Sequence, residues 1–307
     1  MGLVSKFKEF RQGNKKKEAD DPIEEGEMSF LDHLEELRWH LMRALIAILA
    51  FGIYFFIYRK WFVEEIIMVP FTSDAPINQF LCQIGFCGEE VVIDYQVLHP
   101  TELFLKSIMI SFVGGLVLSF PYILWEMWRF IKPGLHEHER KGTRWIVFVM
   151  SLLFFAGIAF SYFIILPFSI RFLATFELFG EISIAWRIGY VLSFFAQIIL
   201  AGGILFEMPI LAYFLAKIGV ITPQFLVSYR RHAIVVLLLI SAIITPPDVL
   251  SQVLIFIPLL LLYQVSIRVV RVVHRNKEKA LAKEKEEEEK MRESALSKQP
   301  PSNGSES

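Results

Sequence analysis

The sequence predicts an all-α integral membrane protein with six transmembrane helices and both termini in the cytoplasm. Three observations support this fold class. Hydrophobic residues make up 54% of the 307 residues. They are concentrated in blocks of about twenty, the length of a helix that crosses the hydrocarbon core of a bilayer. Lys and Arg are concentrated in alternate segments between those blocks, as in multi-pass membrane proteins.

The chain begins with a polar segment, residues 1–28, which we predict to be a flexible basic arm in the cytoplasm. Ser29 is a suitable N-cap and Asp32 lies in the first turn after it, so a short interfacial helix is expected from Ser29 to His40. The first span follows at about residues 41–58. Residues 29–267 form the predicted membrane domain.

A long polar loop, residues 59–101, follows the first span and contains Cys82 and Cys87. These two residues are too few to complete a zinc site in this loop. On the oxidising side of a bacterial inner membrane their thiols can close a small disulfide, which we favour over free thiols. The loop is also rich in acidic residues, which fits an outward, periplasmic position.

The second and third spans are predicted at about residues 103–125 and 145–166. Between them lies a basic loop from Glu126 to Arg144. Pro167 follows the third span. Because proline cannot donate a backbone hydrogen bond, we expect the third span to end there.

The fourth apolar block, residues 188–218, is too long for a straight span. At ~1.5 Å per residue it would be about 46 Å long, against a hydrocarbon core of about 30 Å. Pro209 removes one hydrogen-bond donor from the helix and crowds the carbonyl four residues earlier. The helix is therefore predicted to bend between Leu205 and Pro209.

The fifth block, residues 233–244, is unusually short. Its helix would be only about 18 Å long, so this span requires local thinning of the bilayer or a flanking polar cavity. The sixth span is predicted at about residues 249–267, after the Thr245-Pro246-Pro247-Asp248 turn. We expect residues 268–307 to form a charged cytoplasmic tail, in which a helical extension gives way to partial disorder.

The distribution of basic residues predicts the orientation. Roughly 25 Lys and Arg lie in the N-terminal arm, the second-to-third loop, the fourth-to-fifth loop and the C-terminal tail, against about 4 in the other loops. Basic residues accumulate on the cytoplasmic side of membrane proteins. Both termini are therefore predicted to be cytoplasmic.

No pattern in the sequence points to an enzyme. The two histidines of His136-Glu137-His138 face different sides of a helix, and the His-Glu-x-x-His spacing of zinc peptidases is absent. Neither a Gly-rich phosphate loop nor a nucleophile with a matching base is present. We therefore expect no catalytic activity, no cofactor, no metal site and no nucleic-acid partner.

Ionisable residues at two depths are the candidates for function. Glu36 and Arg38 precede the first span and Glu139 lies in the basic loop. Composition alone favours a solvated charge at the interface for each of them. Glu207 lies inside the fourth apolar block, where an ionised side chain is costly and usually faces a cavity or a partner. The alternative for Glu207 is a protonated carboxyl group bonded to a neighbouring helix.

Five sequence motifs, in order, resemble the TatC family, the large polytopic subunit of the twin-arginine protein translocase. They are HLEELR before the first span, PYILWEMWRFIKPGLHEHER after the second, FAGIAFSYFIILP in the third, FEMP in the fourth and TPPDVLSQ before the sixth. The resemblance covers about residues 29–267. It implies that the six helices form a concave, glove-like arrangement.

The resemblance also implies roles for individual residues. Five of them match a cytoplasmic patch that binds the paired arginines of a signal peptide: Glu36, Arg38, Phe130, Glu139 and Arg140. Three others match intramembrane polar positions or contacts with partner subunits: Glu207, Asp248 and Gln252.

The function implied by the resemblance is recognition of twin-arginine signal peptides on folded proteins and their export across the bacterial inner membrane, driven by the proton motive force. The implied partners are TatA-type and TatB-type single-span subunits, the signal peptides, membrane lipid and further copies of the chain within a hetero-oligomeric complex. The competing interpretation is a proton-coupled secondary transporter that uses Glu207 as a relay. Such transporters usually contain two related halves, and no internal repeat is evident in the sequence.

Overall fold

The structure is a computed structural model, and it describes residues 30–72, 94–131, 143–175, 185–244 and 249–297. α-Helices dominate these ranges, which confirms the all-α class. In chain order they are α1 Phe30–Ile57, α2 Arg59–Phe62, α3 Pro100–Ile131, α4 Thr143–Phe160, α5 Leu166–Thr175, α6 Ile188–Phe206, α7 Met208–Lys217, α8 Pro223–Ser228, α9 Arg230–Ile244 and α10 Val249–Ser297. The same ranges contain two short strands, β1 Asp94–Gln96 and β2 Ala185–Arg187.

Several helical segments are long and apolar enough to cross a membrane. Within the described residues there are five: Leu34–Ile57, Pro100–Ile131, Trp145–Ala174, Ile188–Lys217 and Gln252–Arg292. Helix α9 has 15 residues, which is about 22 Å against a hydrocarbon core of about 30 Å. The fifth block is therefore short, as predicted, while the count of six spans stays a prediction.

Helix α1 is continuous, so the predicted interfacial helix and first span are one element. The chain bends at Tyr58, where φ is −93° and ψ is 25°, and then continues through α2 and a π-helical turn at Val63–Ile67. The prediction that a polar loop begins at residue 59 was wrong. Phe62 and Ile67 pack into the core, because this segment still carries an apolar face.

Helix α3 continues to Ile131, so Glu126 lies in a helix and not in the loop to which it was assigned. The prediction that Pro167 ends the third span was also wrong. The helix passes through a π-helical turn at Ser161–Ile165 and continues as α5. Pro167 is the second residue after that turn, where the wider turn has already interrupted the α-helical hydrogen-bond ladder, so the missing N–H of proline is tolerated.

The break predicted in the fourth apolar block is confirmed. Helix α6 ends at Phe206, Glu207 forms a turn, and α7 begins at Met208. The Glu207 N–H donates to the Ile204 carbonyl at 3.1 Å, which tightens the last turn of α6. Pro209 lies in the first turn of α7, where its lack of an N–H removes no helical bond.

Helix α10 is a single helix of 49 residues, about 74 Å long at ~1.5 Å per residue. The predicted helical extension beyond the sixth span is therefore present and reaches Ser297. Tyr263 in this helix donates a hydrogen bond to the Leu226 carbonyl at 2.7 Å. From Arg275 to Arg292 the helix is exposed throughout.

Glycines allow two pairs of helices to approach closely. A Cβ added to Gly115 in α3 would lie 2.6 Å from both the Gly52 nitrogen and the Ile48 carbonyl oxygen of α1. On Gly157 in α4, an added Cβ would meet the Gly202 carbonyl of α6. The backbones touch at these positions, so the two helix pairs α1–α3 and α4–α6 are held at fixed distances.

The end of the bundle at which β1 and β2 lie, called here the strand end, is fastened by polar contacts. The two strands pair in parallel, with Tyr95 opposite Trp186. Arg187 donates to the Glu102 carboxylate, with its Nη2 3.0 Å from Oε2. Lys106 Nζ donates to Ser193 Oγ at 2.5 Å. These contacts tie the start of α3 to the start of α6, and neither the strands nor the ion pair was predicted.

Candidate functional site

Three of the predicted signal-binding residues lie in described elements at the opposite end of the bundle, called here the Glu36 end. Glu36 and Arg38 are in the first turns of α1, and Phe130 is in the last turn of α3. Glu139 and Arg140 lie outside the described residues. Their place beside Glu36 stays a prediction.

Glu36 is partly buried, and its environment is unusual for a carboxylate. Its Oε2 atom is shielded from solvent and has no hydrogen-bond partner among the described residues. Arg38 is exposed, two residues further along the helix. Buried polar atoms in native proteins are nearly always hydrogen-bonded. Glu36 therefore offers an unused acceptor near the surface of the bundle.

The antiparallel register of α1 and α3 places Glu36 opposite Phe130. Gly52 meets Gly115, and further along His40 meets Glu126, so residue numbers fall along α1 as they rise along α3. One turn beyond the His40–Glu126 contact, the next residues on the facing sides are Glu36 and Phe130. The two predicted site residues are thus brought to the same level of the helix pair.

Glu126 is the centre of a polar cluster that the sequence interpretation missed. It is only 2% exposed, and His40 Nδ1 donates to its Oε2 at 2.5 Å. Arg129 Nη1 donates to Oε1 at 3.4 Å, and Arg43 Nη1 lies 3.7 Å from Oε2. Each oxygen of Glu126 therefore has a hydrogen-bond donor within the protein.

The sequence did contain one signal for this cluster. Glu126 is an acid at the end of an apolar run, four residues before Phe130, which puts both on one helix face. His40 follows Glu36 by four residues, so these two also lie on one face of their helix. The predicted second span ended at residue 125, six residues before the helix ends at Ile131, so Glu126 was assigned to the basic loop.

Glu207 lies at the break between α6 and α7. Both carboxylate oxygens are shielded from solvent, and neither has a hydrogen-bond partner among the residues that the structure describes. The alternative interpretation of Glu207 requires a hydrogen bond to a neighbouring helix, and the described residues provide no partner for it. Acids at such positions in membrane proteins commonly serve function and not stability.

The remaining predicted residues lie near α9 and α10 or outside the described ranges. Gln252 in α10 donates from Nε2 to the Leu238 carbonyl of α9 at 3.2 Å, and Gln197 of α6 donates to the Ile243 carbonyl at 3.0 Å. Two side-chain amides thus connect α9 to its neighbours. Asp248, Cys82 and Cys87 lie outside the described residues. In the described ranges, no group of three or more His, Cys, Asp or Glu side chains is placed to hold a metal ion.

Comparison with known proteins identifies the family. The model of the family TatC, Sec-independent protein translocase protein, matches residues 32–258. The chain is 34% identical over 260 residues to the Sec-independent protein translocase protein TatCy of Bacillus subtilis (strain 168), covering 85% of this chain and 95% of that protein. It is 37% identical over 251 residues to the TatC protein of Aquifex aeolicus (strain VF5), covering 81% and 98% of the two chains.

Solved structures show the same relationship. A crystal structure of the twin-arginine translocase receptor TatC is 36% identical to this chain with a TM-score of 0.64, and the match covers 79% of this chain and all but 1% of that one. A second crystal structure, of the same receptor in DDM, gives a TM-score of 0.65 at 37% identity. The chain therefore belongs to the TatC family of Sec-independent protein translocase proteins and is a multi-pass membrane protein of protein transport.

Proposed function

We propose that this chain is the receptor subunit of a twin-arginine translocation system, and that it binds signal peptides of folded proteins at the Glu36 end of the bundle. Membership of the TatC family supports a role in translocation. The observation that supports the receptor assignment is the shielded oxygen of Glu36, at the level of Phe130, which has no hydrogen-bond partner among the described residues. A site for cationic groups needs such an acceptor, and the other acid nearby, Glu126, is already occupied.

The chemistry of this site suits a pair of arginines. Each guanidinium is a planar fork that donates two parallel hydrogen bonds to a carboxylate, whereas a lysine ammonium is a point charge. One guanidinium–carboxylate pair at ~4 Å has a Coulomb energy of about 4 kcal/mol at an effective dielectric constant of ~20, which screening reduces. Glu36 supplies one carboxylate, and we assign the second to Glu139. Phe130 adds an aromatic face on which a guanidinium can stack.

The Glu36 end lies on the cytoplasmic side in this proposal, and both termini are cytoplasmic. The concentration of Lys and Arg in alternate segments supports that orientation. A signal peptide would then meet Glu36, Arg38 and the predicted basic position Arg140 before any part of the folded protein crosses the inner membrane. The proton motive force as the energy source fits the family.

Single-span subunits of the TatA and TatB types are the proposed partners, and α9 and α10 are their proposed docking helices. The short α9 leaves a thin region beside which a single helix can pack, at a low cost in bilayer deformation. Gln252 lies in this region, and we assign it, with Asp248, to the contact with those partners. Several copies of this chain are expected in one complex with them.

Photo-crosslinking tests the receptor assignment. A photo-reactive residue at Leu37 or His138 of the full chain, next to Glu36 and Glu139 respectively, leaves both carboxylates in place. In membranes it should capture a signal peptide that carries the arginine pair. Replacing that pair with two lysines should reduce capture at least about fivefold, because the planar fork is lost. The matched control is the same probe at Glu65, an exposed acid near the opposite end of α1. Equal capture of both peptides by the probe at position 37 would contradict the assignment.

A further inference from the structure

Glu126 lies within the second family motif, but its contact with His40 has no role in the proposed function. His40 is 8% exposed and Glu126 is 2% exposed. They lie 86 residues apart in sequence and 2.5 Å apart in space. Two polar side chains therefore lie in the interface between α1 and α3. Apolar residues could fill the same space without needing a hydrogen-bond partner.

The position of this contact along the helices is specific. His40 is four residues after Glu36 on α1, and Glu126 is four residues before Phe130 on α3. In antiparallel helices, a bond between His40 and Glu126 fixes which residues meet at the next turn. The His40 ring also contacts the Phe130 ring edge-on, with centroids 6.3 Å apart.

The close backbone contact in this seam lies far from the Glu36 end. The glycine contact between Gly52 and Gly115 lies more than ten residues away along both helices, which is over 15 Å at ~1.5 Å per residue. A small rotation about that distant contact would shift Glu36 relative to Phe130. A directional hydrogen bond one turn from the site removes that freedom, whereas an apolar contact in the same place would not.

We propose that His40 and Glu126 are a positioning pair, which locks the register of α1 against α3 and so holds Glu36 and Phe130 at the separation that two adjacent guanidinium groups require. This inference rests on the proposed function. It assigns no direct contact with the signal peptide to either residue. Arg43 and Arg129, whose side chains are 46% and 53% exposed, complete the neutralisation of Glu126 from its solvent side. Glu126 is thereby kept from competing with Glu36 for the incoming arginines.

Two substitutions at one position separate positioning from simple packing. His40→Gln keeps a side-chain N–H that can donate to Glu126, whereas His40→Leu has a similar size and no donor. The full chain in lipid nanodiscs is assayed with a fluorescent twin-arginine peptide and with its twin-lysine form. We expect His40→Leu to weaken binding of the arginine peptide about tenfold and the lysine peptide less than about twofold. His40→Gln should stay within about twofold of the native protein for both peptides.

A distance measurement reports the register independently of binding. Spin labels at Trp39→Cys and Met127→Cys, both exposed in the native protein, are used in a background without Cys82 and Cys87. The native protein and His40→Gln should give one narrow distance distribution, and His40→Leu a distribution broadened or shifted by about 2 Å or more. Glu65→Gln is the matched control and should change neither distance nor binding.

The outcomes distinguish this inference from the proposed function. A native protein that does not prefer the arginine peptide overturns the proposed function, and the positioning role with it. A native preference that His40→Leu leaves intact overturns the positioning role alone, whether or not the distance changes. An unchanged distance distribution in His40→Leu also overturns it. Loss of preference together with a changed distance, both restored by His40→Gln, supports it.

Discussion

Glu126 and Glu207 both lie in apolar helical segments, and their surroundings differ completely. Glu126 accepts hydrogen bonds from His40 and Arg129 and has further charged and polar neighbours. Both oxygens of Glu207 are shielded from solvent but have no hydrogen-bond partner in the described ranges. We therefore expect Glu126 to stabilise the α1–α3 pair and Glu207 to add no stability at the α6–α7 break. An acid with partners in the fold acts through the residues that it positions, whereas a shielded acid without them is a candidate for a direct role.

Removal of the Glu126 carboxylate should have the largest effect on stability. Glu126→Ala leaves the buried His40 ring without its acceptor, and breaking a buried polar pair in this way costs about 3 kcal/mol. The change is measured as the free energy of unfolding in detergent. Glu65→Ala, an exposed acid in the π-helical turn, should change it by less than about 0.5 kcal/mol. If Glu126→Ala lowered the free energy of unfolding by less than about 1 kcal/mol, the proposed difference in stability between Glu126 and Glu207 would be contradicted.

Substitution at one of the two glycines that meet between α1 and α3 should have the next largest effect on stability. Gly115→Ala should destabilise the protein by about 2 kcal/mol, because the new Cβ would lie 2.6 Å from backbone atoms of α1 that cannot move independently.

The matched control is Gly52→Ala, whose Cβ would meet the nearest backbone atom at 3.6 Å, an ordinary contact. That substitution should be neutral or stabilising by up to about 1 kcal/mol, since alanine favours a helix over glycine. Equal gains of unfolding free energy in the two variants would show that helix propensity outweighs the closeness of the backbones at Gly115.

Replacement of Glu207 should have the smallest effect on stability, and one of opposite sign. Glu207→Leu removes two shielded oxygens without partners, so the free energy of unfolding should stay unchanged or rise by up to about 1 kcal/mol. Signal-peptide binding should persist while export of a folded protein in cells falls markedly. Native levels of export in this variant would remove Glu207 from the transport mechanism. A large loss of stability would mean that Glu207 has partners after all.

The sequence predicted features that depend on neighbouring residues. Pro209 acts on the carbonyl four residues before it, so the break at Glu207 could be placed from local chemistry alone. The shortness of α9 followed from its apolar length in the same way. The family resemblance added the site residues Glu36 and Phe130, which the structure places at one level of the α1–α3 pair.

Features that join distant parts of the chain could not be predicted in this way. The bond between His40 and Glu126 and the pairing of β1 with β2 connect segments over 80 residues apart, and no local pattern specifies either partner. Pro167 failed as a stop signal because the preceding π-helical turn changes the hydrogen bonding before the proline is reached. That turn also has no established local sequence signal. Tertiary packing therefore decides both cases.

Because α10 is one continuous helix, a tilt at its packed part also moves its far end. Its inner part is held against α7, where Val270 packs with Ala212 and Ala216, while the segment from Arg275 to Arg292 is exposed to solvent. Eighteen exposed residues span about 27 Å of helix. A tilt of about 10° at the packed part would sweep the far end through roughly 5 Å at this length. A small change in helix packing can thus produce a much larger displacement of the charged end of α10, where a binding partner would contact it.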